Sequence, residues 1–225
     1  MRHSLAGIFI LCSTLSVTQP TAAQTTVYST FGPNDSYLTN TGLSLFDIPN
    51  ASQWLAASFF YGGPIGLRLA KVRLAAWGHD FGFGVGDATV LLMSGVDITT
   101  AAPIESWVLS GWTTPLAPSI FSFNSVTGNQ FVTGETYWLK IINGPSGVMS
   151  GAWLTNSQGF QADVRYSTDQ GASWAVASDI APAWDVSAVS AVPEPATIGL
   201  VATGLIGIAG FALIRRRRQS RAGTA

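Results

Sequence analysis

The stretch Gly134-Glu135-Thr136-Tyr137-Trp138-Leu139-Lys140-Ile141-Ile142 decides the reading of the chain. Tyr137, Leu139 and Ile141 alternate with Trp138, Lys140 and Ile142, which is the two-residue period of a β-strand. Short runs of the same kind recur outward in both directions, from Thr25 to Ala191, separated by Gly, Pro, Asn and Asp. Candidate strands cover 27–31, 54–61, 67–77, 88–93, 104–109, 119–124, 136–143, 150–155, 160–166, 173–177 and 184–189. In 67–77 the alternation changes phase near Ala70-Lys71, which reads as a β-bulge, with an amphipathic helix as the alternative. So many short strands with frequent turns predict an all-β body, an antiparallel β-sandwich of jelly-roll type.

Composition supports an ordered, strand-rich body. The 225 residues are 47% hydrophobic and only 10% charged, against about 25% charged in ordinary globular chains. Intrinsic disorder needs the opposite balance. Of the 11 basic residues, Arg2 and the five arginines 215–218 and 221 sit at the ends. Arg68, Lys71, Arg73, Lys140 and Arg165 remain between them with all 12 acidic residues, so that stretch is near −7. It lacks the basic stripe that neutralises phosphates, and no nucleic-acid partner is expected.

Both ends read as addresses. Met1-Arg2-His3, the apolar Leu5 to Leu11 and the small residues before Gln24 form a secretory signal peptide over 1–23, cut after Ala23 or Ala22. An uncleaved signal anchor is the alternative. The single cysteine, Cys12, lies in this segment, and Leu11 precedes it where a lipoprotein would need a small residue. The mature body, 24–190, therefore has neither a disulfide nor a thiol nucleophile.

At the other end, Pro193-Glu194-Pro195 precedes the uncharged run Ala196 to Ile214 and the cluster Arg215, Arg216, Arg217 and Arg218. The run would span about 28 Å as a helix, enough to cross a bilayer core. Its glycines are tolerable in lipid, where the backbone must pair internally. The arginines hold the C-terminus, including the tail 219–225, in the cytoplasm. One transmembrane helix, 196–214, is expected. The two prolines keep the Pro-Glu-Pro motif extended, as a peptidase cleft requires.

Val192 to Arg218 closely resembles the PEP-CTERM sorting signal of Gram-negative bacteria, with motif, glycine-rich span and arginine cluster in order. The resemblance implies an exosortase as processing partner, cutting near Pro193-Glu194-Pro195. It implies a transient inner-membrane anchor with the body periplasmic, then a place at the cell surface or in an extracellular exopolysaccharide or biofilm matrix. A plain single-span envelope protein is the alternative. The body, through Gln53 to Phe59, Ala70 to Leu74 and Gly134 to Lys140, loosely resembles the choice-of-anchor R type of extracellular domain.

Few residues suggest chemistry. Ser167-Thr168-Asp169-Gln170-Gly171-Ala172-Ser173-Trp174 fits the Asp-box pattern of propeller glycosidases. One copy cannot build a propeller, so Ser167, Asp169, Gly171 and Trp174 are expected to shape a structural turn. His79 beside Asp80 lacks the partners for a triad or a zinc site. Asp80 and Asp87 flank a glycine-rich loop that matches no established Ca²⁺ or nucleotide pattern. No metal and no cofactor is expected. All 8 tryptophans fall in the body and are expected mostly in the core. Trp112, in Gly111-Trp112-Thr113-Thr114-Pro115, is the candidate for an exposed glycan contact. The expected role is a non-catalytic exported surface or matrix protein with adhesion or weak polysaccharide binding. An exported glycan-active enzyme is the alternative.

The tail generates the first prediction. Drawing each arginine of 215–218 to the bilayer centre costs roughly 2.5–3.5 kcal/mol, so transfer stops with Pro193-Glu194-Pro195 at the outer boundary. Protein from exosortase-containing cells should lack the residues after about Pro195 by intact mass. Glu194→Ala should accumulate as a longer, membrane-retained form. Full retention of 196–225 in the wild type would leave the plain anchor.

Overall fold

Two antiparallel ladders flank the strand β12 (Trp184–Ser190) and organise the computed structural model. The structure describes residues 23–48, 51–78, 86–112, 117–145 and 149–190. β12 pairs on one side with β1 (Gln24–Ser29) and on the other with β4 (Leu67–Gly78). Opposite Ser187 both neighbours carry an extra residue, Val27 in β1 and Ala70 in β4. The bulge at Ala70 is the phase change seen in the sequence. Leu69 faces the core before it, and Val72, Leu74 and Ala76 face the core after it.

The sheet continues from β4 through β9 (Met149–Asn156) to β2 (Tyr37–Ile48), with β7 (Ser119–Asn124) also on β4. β3 (Ala51–Phe60) then carries the chain into the second layer. Its first residues, Ala51 to Gln53, pair with β2. From Trp54 onward it lies between β10 (Gln161–Ser167) and β8 (Thr136–Asn143). β5 (Gly86–Ser94) and β6 (Ala102–Trp112) extend the layer beyond β8, and β11 (Ala175–Ile180) pairs with β10. Every pairing is antiparallel, and the curled sheet forms the expected sandwich. Among the described residues the helical structure is one short 3₁₀ turn, Pro33–Asp35. No helix there is long and apolar enough to cross a membrane. The expected helix 196–214 lies outside the described residues.

The inner faces meet through large side chains. Trp153 and Trp184 of the first layer are fully buried, with ring centroids 6.1 Å apart. Phe59 of the second layer meets Trp184 edge-on at 5.4 Å and stacks on Tyr137 at 5.4 Å. Leu55, Val90, Leu92, Leu139 and Ile141 complete the second inner face. Burying each such side chain contributes about 1.5–3 kcal/mol. A core of this size stabilises a body without a disulfide.

Two sequence expectations need correction. The candidate strands omitted β2, whose middle, Asn40-Thr41-Gly42, reads locally as turn punctuation. The chain bulges there and stays paired with β9 on both sides. The strand expected over 104–109 runs on through Gly111 to Trp112, which ends β6 and pairs with Gly86. That pairing is non-local, so Gly111 and Pro115 misled the local reading. Smaller shifts occur at β1 and β11. Gln24 to Thr26 are held extended by β12, and Ser173 and Trp174 belong to the turn before β11.

Polar clasps finish the sandwich. Arg73 bonds both Asp35 and the buried Asp185, tying β4, β12 and the turn after β1. Glu105 on β6 is only 5% exposed and gathers the segment after β7. Its carboxylate accepts from the Ser125 hydroxyl at 2.7 Å, the Val126 N–H at 2.6 Å and the Thr127 hydroxyl at 2.7 Å. Trp107 Nε1 donates to the Asn124 carbonyl at 2.9 Å beside it. Side chains, not a β-ladder, thus join β6 to the strand edge of the first layer.

Burial by itself would raise the Glu105 pKa, but these donors together hold it below its ordinary value of 4.5. Its contribution is therefore full above pH 4.5 and is lost as pH falls through the lowered value. Glu105→Ala leaves three partners unsatisfied and should cost about 1–3 kcal/mol at neutral pH. The deficit against wild type should shrink on acidification. Urea melts at several pH values check both; an undiminished deficit at low pH would contradict this account.

Candidate functional site

The Asp-box turn joins β10 to β11 and is built around one carboxylate. Asp169 Oδ1 accepts from the Ser167 hydroxyl at 2.7 Å and the Ser173 N–H at 2.8 Å. Asp169 Oδ2 accepts from the Ser173 hydroxyl at 2.5 Å. Ser167 Oγ in turn accepts from the Gly171 N–H at 2.7 Å. Hydrogen bonds from Ser173 above all, and then from Ser167, hold the exposed Asp169 at a pKa of about 2. Gly171 sits at φ +90°, and a Cβ there would come within 3.0 Å of the Trp54 ring. The side chains of Ser167 and Asp169 thus close the turn, and Gly171 takes its positive φ.

Around this turn the fold assembles a group that the sequence separates widely. Lys140 Nζ lies 5.5 Å from the Trp54 ring centroid and 5.2 Å from that of Trp174. β3 supplies Trp54, β8 supplies Lys140, and the turn supplies Trp174. Trp174 also packs on Ala56, Met93, Ile98 and Trp138, a small cluster on the outer face of the second layer. Desolvation lowers the Lys140 pKa. No carboxylate lies within ion-pair distance of it among the described residues. The two indole faces stabilise the ammonium instead, each by about 0.5–2 kcal/mol. Lys140 looked like an ordinary outward residue of an alternating strand, and no local signal marked it.

A small open cleft of about 310 Å³ lies beside the turn, lined by Asp47, Ser52, Thr168, Asp169 and Gln170 among others. It contains two carboxylates, the arrangement that would favour glycoside hydrolysis. Its chemistry argues otherwise. Hydrolysis needs one acid held protonated near neutral pH, with its pKa raised. Asp169 is shifted the opposite way, and both its oxygens are engaged in the turn. Asp47 is buried and accepts a long bond of 3.4 Å from Trp54 Nε1. Asp169 is thus committed to the turn rather than to proton transfer.

Other sequence candidates are placed as follows. Trp112 lies at the end of β6. Asp87 lies on β5, and its carbonyl accepts from the Gly144 N–H at 2.8 Å. His79 and Asp80 fall outside the described residues, as do the signal peptide through residue 22 and the sorting residues Pro193, Glu194, Pro195 and Arg215 to Arg218. Among the described residues no group of three or more His, Cys, Asp or Glu gathers for a metal.

Comparison with known proteins bears on the tail. Residues 191–218 match the PEP-CTERM protein-sorting motif. The match supports an exported protein that an exosortase processes, with a transient membrane anchor, in Gram-negative bacteria. It does not extend to the body, so it does not bear on the choice-of-anchor resemblance. No curated protein matches the chain significantly. Two cowpea mosaic virus structures are similar at low level. An empty virus-like particle is 14% identical over 67% of this chain and 90% of its own, with TM-score 0.23. Naturally occurring empty particles are 13% identical over 67% and 96%, with TM-score 0.22. At these scores neither carries an argument about fold or role.

The turn's geometry gives a stability prediction. Gly171→Val forces a β-branched residue to positive φ against Trp54 and should cost about 1–3 kcal/mol. Asp169→Asn should lower the melting temperature by an amount that is constant above pH 3.8 and shrinks as pH falls toward about 2. Thermal melts across that range check it. Unchanged melting with loss of a hydrolytic activity would instead make Asp169 a catalytic group.

Proposed function

We propose that the body is a non-catalytic surface or matrix module, which adheres to or weakly binds polysaccharide after sorting. The observation that carries this reading is how the carboxylates are used. Asp185 and Asp35 serve Arg73, and Glu105 gathers the segment after β7. Asp169 closes the Asp-box turn, Asp97 caps its own turn through the Thr99 N–H, and Asp163 pairs with Arg165. Acids engaged in this way stabilise local geometry. Catalytic pairs are instead set apart by opposed pKa shifts in one cleft. The sorting motif adds support, because it goes with an exported protein, which can meet extracellular polysaccharide.

The enzyme alternative rests on the Asp47–Asp169 cleft. Purified protein should retain soluble glycans on an array while releasing no reducing ends from them over long incubation. Release of reducing ends that Asp47→Asn abolishes, with melting unchanged, would overturn the proposal.

A further inference from the structure

The groove on the outer face of the first layer sits at the end of the sandwich remote from the end of β12. β12 ends at Ser190, opposite Leu67 at the start of β4, and the chain then runs into the sorting signal. Ten residues further along β4, roughly 33 Å away, stands Trp77. Trp77 forms one wall of a groove of about 690 Å³, within the usual range for ligand sites. Pro118, just before β7, flanks it.

The opposite wall is the bulge in β2. Tyr37 pairs with Asn156 and Gly42 with Leu154, so residues 38–41 stand against Thr155 alone. Thr41 Oγ1 lies 2.8 Å from Thr155 Oγ1, which pins the bulge to β9. Thr39, Asn40 and Thr41 on the bulge line the groove, and all three are exposed. The floor is Gly42, Gly151 and Ala152. A Cβ at Gly42 would stand 3.0 Å from the Trp153 carbonyl, so a larger residue there would crowd β9. Ser44 and Phe46 continue the lining along β2.

Among the described residues, none that lines the groove is ionisable. Hydroxyl and amide side chains beside an aromatic wall suit a ligand with many hydroxyls and a flat apolar ring face. We infer that this groove binds a neutral glycan chain, with Trp77 against a sugar ring and the β2 bulge hydrogen-bonding its hydroxyls. The inference rests on the non-catalytic surface reading but adds the site and the ligand class. It also transfers the glycan contact from Trp112 to Trp77.

The test uses the full-length chain, purified in an amine-oxide detergent that contains no sugar. Cellohexaose, xylohexaose, mannohexaose and maltohexaose are titrated by calorimetry, with hexagalacturonate as the anionic control. At least one neutral hexasaccharide should bind, and the anionic one should not. Trp77→Ala should weaken binding about tenfold, the loss of one good ring contact. Asn40→Ala, on the exposed bulge and clear of the core, should weaken it severalfold without lowering the melting temperature. Trp54→Ala should leave it unchanged. No binding by any neutral probe at millimolar concentration overturns the groove. Binding that survives both Trp77→Ala and Asn40→Ala also overturns it, while the adhesive reading stands. Binding lost in both variants but accompanied by reducing-end release keeps the groove and sinks the non-catalytic reading.

Discussion

The placement of β12 between β1 and β4 is the constraint on which the rest of the molecule depends. It puts Trp184 at the centre of the core, against Phe59 and Trp153. It puts Asp185 where Arg73 can reach it. Thr30 locks the far end of the β1 pairing, since its hydroxyl donates to the Pro182 carbonyl at 2.6 Å and accepts from the Trp184 N–H at 2.9 Å. The bulges at Val27 and Ala70 keep both neighbours in register with β12. Losing this strand would expose the inner face and unpair two others at once, so the first layer stands or falls with it.

The same pairing links folding to export. Gln24 lies opposite Val189, so the first and last strands of the body meet. Long-range pairing of this kind forms only when both segments are present, and its loop-closure cost is met late. β12 directly precedes the sorting motif, so the strand that completes the first layer adjoins the segment that addresses the chain.

Charge in the body is used sparingly and locally. With no disulfide available, Arg73 and Glu105 join segments that no ladder connects. Each leaves polar partners unsatisfied if removed, which is more costly than the net strength of the bonds made. Lys140 follows a different logic, held by two indole faces, with no carboxylate in ion-pair range among the described residues. The described residues that line the groove carry no charge. Its recognition would rest on ring contact and hydroxyls, interactions that salt screens little.

What the sequence determined by itself was everything carried by neighbours along the chain. Alternation marked β4, β7, β8 and β12 nearly to the residue, and the phase change at Ala70 was legible as a bulge. The Asp-box spacing specified a turn whose bonds run over a few residues. The sorting tail was legible because its parts act in linear order. What only the tertiary structure decided depends on distant partners. Asn40-Thr41-Gly42 looks like a turn, and only β9 shows that the chain there is a bulged strand. Gly111-Trp112 looks like a loop until Gly86 pairs with it. Trp54, Lys140 and Trp174 are ordinary residues of three separate segments until the second layer curls them together. Thr39, Gly151 and Trp77 likewise line one groove only after β2, β9 and β4 lie side by side. Local periodicity reports which face a residue occupies, but strand order is set by long-range pairing, and that order decides which faces meet.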